Sequence, residues 1–467
     1  MSLERNVFNN LSPLDHRYSL RNKFQILSQY FSEEARFEWE STVELALIET
    51  LVEFNIAPVE AVNQMKKAVE YISADEVYKE EEKTKHNTRA LVNCLREKVD
   101  SEYRQYIHLG ATSFDIVDTA AILRYKNFND EILIPALKEL IEKISEVAYR
   151  EKETVQLGRT HGQAAVPITF GYYLSGFVSR LGNRLEKLKN YSSELTGQFS
   201  GAVGAYNSLS LLVDDPIEFE TALLDKLGLK RSEHSTQIIP PEKLTDYIHG
   251  IISTFGVIAD LSDDFRHLQR SEISETGEAF SEEQVGSSTM PQKRNPINFE
   301  NIKSSWKVTV PKIITVYMDQ LCEHQRDLTN SSSARYYPEI ISHLFLAIKR
   351  LDRVMARLVV DHENLKRNLD NHKDMILAEP LYIMLAREGH PDAHEAIRKL
   401  TLKSEETGKT VLELVEGDKD LLKYFDKLTT NEKEILKNPA NYTGSALNQT
   451  EVIVNNWLDR LNIERKC

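Results

Sequence analysis

The 467-residue chain has three cysteines, three tryptophans and no surplus of basic residues. Cys94, Cys322 and Cys467 lie far apart and form no C-x-x-C pair, so neither a disulfide framework nor a cysteine-based zinc site is indicated. That usage fits a reducing cytosol. Aspartate and glutamate outnumber lysine and arginine by 72 to 58, leaving a net charge of −14. Such a balance lacks the basic footprint that nucleic-acid binding requires, although a few cations can still line a pocket for a small anion. Long apolar runs are missing too. The longest uncharged one, about Tyr247 to Ala259, is too short to span a bilayer. The opening MSLERNVFNNLSPLDHRYS has no apolar core of the signal-peptide kind. A cytoplasmic protein is expected, with no membrane, nucleic-acid or metal partner.

Helical periodicity dominates what is present. Leu174, Val178, Leu181, Leu185 and Leu188 repeat at alternating steps of four and three, the seam of one long helix packed on another. Ala136/Leu137, Leu140/Ile141, Ile144 and Val147/Ala148 repeat the theme. So do Leu244, Ile248, Ile251, Phe255, Ile258, Leu261, Phe265 and Leu268. Two further long helices are expected over about 298–325, kinked at Pro311, and about 338–365. Core packing accounts for these stripes. Each helix would span roughly 30–45 Å at 1.5 Å per residue. Helices of that length hide their flanks in an elongated bundle, often one shared between subunits. The reading is an all-α fold in three parts: an N-terminal helical domain 1–110, a central long-helix bundle with a catalytic loop 111–366, and a C-terminal helical domain 367–467.

Four short stretches break the periodicity. HLGATSFDIVDTA groups Thr112, Ser113 and Asp115, which serve equally as a helix cap or as a carboxylate-binding helix start. LGRTHGQAAVP sets His161 in a glycine-bearing loop between two helical patterns, where functional residues concentrate. VGSSTMPQKRNPINFE joins a hinge at Gly286 to Lys293 and Asn295, between prolines that stiffen it. The acidic, non-periodic ETGEAFSEEQ before it suggests a mobile lid. QRDLTNSSSARYY offers Arg326, Ser331 and Arg335, which either make surface ion pairs or surround a phosphate with fork-like donors.

Taken together, GSSTMPQKRNP, the T-S-x-D run and the T-H-G run, in this order and spacing, resemble the fumarase/aspartase superfamily. The likeness runs from LSPLDHRY near the start to NPANYTGSA near the end. Within the superfamily it is strongest to the branch that cleaves succinylated purine nucleotides. LDHRY supplies Arg17 and Tyr18, and QRDLTNSSSAR supplies Arg326, Ser331 and Arg335, as that branch's phosphate contacts; STQIIP places Gln237 like its substrate-binding glutamine. Sister enzymes with argininosuccinate or carboxymuconate substrates have no phosphate to hold. One departure stands out: after Lys85, His86 is followed by Asn87 where the family commonly has aspartate.

The resemblance implies a homotetramer with active sites shared between subunits, no cofactor, and a β-elimination that releases fumarate. It implies Ser287 as base, His161 as general acid, and Lys293 and Asn295 as holders of the carboxylate that gains charge. Thr112 and Ser113 would bind the succinyl carboxylates, His86 would position substrate or support the acid, and Lys85 and Asn87 would line the substrate. A serine base needs activation. Loop backbone N–H groups and the nearby Lys293 are the expected source.

Overall fold

The computed structural model describes residues 10–19, 25–283, 286–325 and 329–464. Helices dominate, joined by short two-stranded sheets. The elements that carry the site are α1 (Glu33–Glu53), α2 (Ala74–Thr84), α3 (Asn87–Glu97), α4 (Ser113–Phe128), α5 (Ile134–Arg150), α6 (Phe170–Glu194), α7 (Glu242–Leu268), α8 (Ile297–Thr309), α9 (Lys312–Met318) and α10 (Tyr337–Met355). A hairpin of β1 (Val155–Thr160) and β2 (Gln163–Thr169) lies between α5 and α6. No helix among the described residues is long and apolar enough to cross a membrane.

The apolar stripes are core. Ile248, Ile251, Phe255, Ile258, Leu261 and Phe265 are all fully buried along α7, as are Leu174, Val178, Leu181, Leu185 and Leu188 along α6. Burying one such side chain contributes about 1.5–3 kcal/mol. Two of the anticipated helices are shorter than their periodicity suggests. One is interrupted at Pro311: α8 ends at Thr309 and α9 starts at Lys312, because proline has no N–H to give the preceding turn. The other stops at Met355. Val359 and Val360 pair with Thr276 and Gly277 as strands, and Asp361 then caps a fresh helix, His362–Asp370, by accepting Asn364 N–H at 2.9 Å. β-branched residues followed by a capping aspartate end the helix even though the apolar spacing continues.

Two compact units compose the chain: 1–137, 184–256 and 305–348 in the first, and 138–183, 257–304 and 349–467 in the second. Several long helices start in one unit and end in the other, so neither unit is a contiguous span. In the first, Phe37 and Leu47 of α1, Leu91 of α3 and Ile116 and Phe128 of α4 are fully buried, and the Phe128 ring meets Phe345 of α10 edge-on at 5.7 Å. In the second, Leu140, Ile144, Phe170 and Phe265 form the core with Phe299, which stacks on Phe265 at 5.1 Å and pins the start of α8 to α7. Leu381, Leu385, Val411, Val415 and Leu436 make a separate cluster near the C-terminal end.

Candidate active site

The first unit holds most of the candidate substrate contacts. Lys85 ends α2 in the left-handed region, with φ 54°, and turns the chain sharply into α3. His86 caps α3: its Nδ1 accepts Arg89 N–H at 3.3 Å. A ring nitrogen that accepts carries no proton, so the neutral imidazole bears its proton on Nε2 and can donate there. A backbone amide thus selects the tautomer, a task for which no carboxylate is available at position 87. Asn87 Oδ1 accepts Thr88 N–H at 2.7 Å. Lys85 and His86 are exposed.

Thr112 and Ser113 open α4. Asp115, wholly buried, accepts Thr112 N–H at 2.9 Å, so the capping half of its two readings holds. The same carboxylate accepts Ser200 N–H at 3.0 Å and Gly201 N–H at 3.2 Å. Burial pushes its carboxyl up to about 6, against the pull of these amides. Asp115 therefore ties the start of α4 to the 198–201 loop. From there the connections continue: Ser200 Oγ lies 2.6 Å from Ser235 Oγ, the Gln198 amide donates to Gln237 O at 2.8 Å, and Gln237 N–H donates to Gln325 O at 3.3 Å. Thr112, Gln237 and the entry to the anticipated phosphate clamp are linked by one run of hydrogen bonds. His108, not singled out from sequence, belongs here too. Its Nδ1 is 2.6 Å from the buried Glu44 carboxylate, which raises its pKa although burial acts the other way. Only its place four residues before Thr112 could have pointed to it.

Arg17 and Tyr18 sit on a helical turn, Leu14–Ser19, and the Tyr18 ring meets the His343 ring of α10 edge-on at 6.4 Å. Ser331 and Arg335 flank and occupy the tight turn Ser333–Tyr336, and both are exposed. No carboxylate among the described residues lies within ion-pair distance of Arg335. Arg326 lies outside the described residues. A cavity of about 80 Å³, lined by Asp118, Tyr125, Ile238, Asp319, Asn330 and Tyr337, lies between the Gln237 loop and the clamp turn.

His161 and Ser287 belong to the second unit. The expected loop around His161 is instead the tip of a tight hairpin. Thr160 pairs with Gln163, and His161 (φ 56°) and Gly162 (φ 74°) form its two-residue turn. Two successive left-handed residues make the turn type that matches strand twist, for which Asn-Gly is the usual choice. Histidine there carries a backbone cost of about 1–2 kcal/mol. The tip from Thr160 to Ala164 is exposed. Below it the pairing bulges at Gly158, where a Cβ would stand 2.4 Å from Val166 O. The base of the hairpin is held by Glu275, a fully buried carboxylate. It accepts Arg159 Nη2 at 2.6 Å and Nη1 at 3.1 Å, Gln156 Nε2 at 2.9 Å and Asn368 Nδ2 at 2.8 Å. The acidic segment before the anticipated catalytic loop is therefore an anchor at its first part, not a mobile tether. Glu278 is buried as well and accepts Asn298 N–H at 2.8 Å and Phe299 N–H at 3.0 Å at the start of α8.

The loop that follows folds back on itself. Asn295 donates to Gly286 O at 2.9 Å, and a Cβ on Gly286 would stand 2.1 Å from Lys293 O. Gln269, just past the C-terminal end of α7, donates to Arg294 O at 3.2 Å. Ser287 Oγ accepts two backbone N–H groups, from Met290 at 3.0 Å and Thr289 at 3.3 Å. Two amides aimed at one oxygen are the donors an alkoxide needs. Beside the loop a cavity of about 670 Å³ is lined by Lys293, Asn295, Arg266, Arg270, Arg294 and Glu278. Lys293 and Asn295 thus border a space suited to anionic groups. Among the described residues no hydrogen bond joins His161 to Ser287, Lys293 or Asn295.

The unit-by-unit arrangement offers an amide-cradled hydroxyl, an exposed imidazole, cations lining a cavity large enough for a small anionic molecule, and a turn whose guanidinium has no carboxylate partner among the described residues. These groups suit proton abstraction next to a carboxylate with loss of a leaving group that bears a distant anion. Comparison with known proteins agrees. Residues 18–308 match the family model described as lyase, and residues 322–443 the one described as adenylosuccinate lyase C-terminal. Adenylosuccinate lyase of Pyrococcus abyssi is 35% identical over 449 residues, covering 95% of this chain and 97% of its own length. That of Bacillus subtilis is 31% identical over 399 residues, covering 85% and 90%. Among solved structures, 3-carboxy-cis,cis-muconate lactonizing enzyme from Pseudomonas putida aligns with a TM-score of 0.83 at 23% identity, over 94% of this chain and 97% of its own. At that identity the likeness speaks for the fold alone.

Proposed function

Since the chain belongs to the adenylosuccinate lyase family, we propose that it is a carbon–nitrogen lyase. It removes fumarate from adenylosuccinate, leaving AMP, and from the succinyl-aminoimidazole-carboxamide ribotide, leaving its free carboxamide. The clamp turn carries the choice over sister lyases. Arg335 stands exposed with no carboxylate partner among the described residues, beside Ser331, as a phosphate site requires.

In this reading Ser287 takes the proton from the succinyl carbon next to a carboxylate. The electron pair passes into that carboxylate, which becomes the doubly charged aci form held by Lys293 and one remaining N–H of Asn295. Collapse breaks the carbon–nitrogen bond, and His161 gives a proton to the departing nitrogen. The N–H groups of Thr289 and Met290 lower the cost of the Ser287 alkoxide by keeping two dipoles aimed at Oγ. Thr112 and Ser113 receive the succinyl carboxylates, His86 donates from Nε2, and Lys85, Asn87, Gln237, Arg17, Tyr18 and Arg326 complete the substrate contacts. A cytoplasmic site suits the free Cys94 thiol.

The purified chain is expected to convert adenylosuccinate to AMP and fumarate in a spectrophotometric assay, and the Arg335→Ala variant to do so with a raised KM. No turnover of adenylosuccinate by the unmodified chain would discard the reading.

The same reading makes the chain a homotetramer whose sites are shared. In support, the hairpin tip with His161 is exposed, and Val308, Ile314, Met318 and Leu321 leave an apolar row uncovered on α8, α9 and the segment after it. Exposed apolar rows of this length mark association surfaces. Mixing inactive Ser287→Ala and His161→Ala proteins, with subunit exchange, is expected to restore activity. Mixed oligomers that stay inactive would show that both groups of a site come from one chain.

A further inference from the structure

Beneath the clamp turn lies a carboxylate that none of the foregoing roles uses. Asp319 follows the last turn of α9, and its two oxygens reach two hydroxyls of the clamp segment. Oδ1 accepts Ser333 Oγ–H at 2.7 Å, and Oδ2 accepts the Tyr337 phenol at 2.6 Å. Arg335 sits midway between these two residues. Tyr337 is buried, and its phenol is held protonated by burial and by Asp319, so it remains a donor. Ser333 is bonded in turn to Asn330 O at 3.1 Å, and Arg335 N–H to Ser332 O at 3.2 Å, which closes the turn.

The other end of α9 is fixed as well. Lys312 pairs with Glu339 on the first turn of α10, and Glu339 is held at about 2 by His343 and Lys312. His343 also meets Ser305 Oγ at 3.0 Å and carries the Tyr18 ring against it. The two parts of the anticipated clamp, Tyr18 and the Arg335 turn, therefore rest on one footing: α9 and the first two turns of α10.

We propose that Asp319 is a positioning residue for phosphate recognition, setting the 333–337 turn so that Arg335 and Ser331 present their donors to the substrate phosphate. A carboxylate near a phosphate would repel it if its charge were free. Here both oxygens are occupied by hydroxyl donors, and no ion pair joins Asp319 to Arg335 among the described residues. Its effect passes through geometry, because a bidentate contact with a phosphate is lost when the fork is tilted. The inference rests on the lyase reading given above.

Steady-state kinetics of the full chain on two substrates test it: adenylosuccinate and succinyladenosine, which lacks the phosphate. In Asp319→Asn one accepting oxygen becomes a donor that opposes a hydroxyl. KM for adenylosuccinate is expected to rise about tenfold or more with kcat nearly unchanged, while kcat/KM for succinyladenosine stays at the unmodified value. Arg335→Ala should give the same two-substrate pattern. Tyr337→Phe removes a single hydroxyl from a buried ring, so it carries the test if Asp319→Asn does not fold, with a smaller rise of the same selectivity. Equal losses on both substrates, or no loss on either, would overturn the proposal. An unmodified chain inactive on adenylosuccinate would instead remove the lyase reading, and this inference with it.

Discussion

Ser287→Ala is expected to lower kcat on adenylosuccinate roughly a hundred- to ten-thousandfold, the usual worth of a positioned proton-transfer group. The KM should hardly move, because the variant deletes one hydroxyl and leaves the clamp turn and the α4 start intact. The loop fold should survive too, since Asn295 still closes it onto Gly286 O and Gln269 still holds Arg294 O. Only the amides of Thr289 and Met290 lose their acceptor, and both residues are exposed, so water replaces it. Rapid-quench measurement of fumarate, beside equilibrium binding of the substrate, separates chemistry from binding. A turnover within threefold of the unmodified chain, in a protein shown to be folded, would remove Ser287 from the role of base. His161→Ala should lose turnover on the same scale. An exposed hairpin tip tolerates truncation, so little stability should be lost.

The largest effect on stability is expected at Glu275. Replacing it by alanine leaves the part-buried Arg159 guanidinium and the buried Gln156 and Asn368 amides without their shared acceptor. Removing one partner of a buried ion pair costs about 3–5 kcal/mol. Denaturant or thermal unfolding of the second unit should show this loss. The paired change Arg159→Met with Glu275→Leu should recover much of it, because then no buried charge is left uncompensated. A Glu275→Ala protein as stable as the parent would mean that the hairpin is held by its strand pairing alone.

Much of the helical frame was legible because a stripe of leucine, isoleucine and phenylalanine at steps of three and four can be buried only one way. The marker stretches were legible because glycine, proline and charged residues crowd into them. The hairpin was not. Its strands are short, Gly158 interrupts their alternation with a bulge, and His-Gly lacks the asparagine by which such turns are recognised. Glu275 escaped notice for a different reason. Its partners lie 116 and 93 residues away in the chain, so nothing local separates it from the solvent-facing acids around it. Asp319 is similar: its hydroxyl donors follow 14 and 18 residues later, across a break in the helix. Spacing along the chain reports on local periods and compact motifs. Contacts made by one side chain across a fold leave no period to read.

The backbone at position 161 sets stability and chemistry against each other. A left-handed turn residue followed by glycine is most comfortable as asparagine or glycine, so a search for thermostable variants would be drawn to this site and would reward either replacement. Both would discard the only imidazole on the hairpin tip. An engineer who ranks substitutions of this chain by melting temperature alone would therefore select, at residue 161, a sturdier protein without the imidazole to which the proposed mechanism gives protonation of the leaving nitrogen.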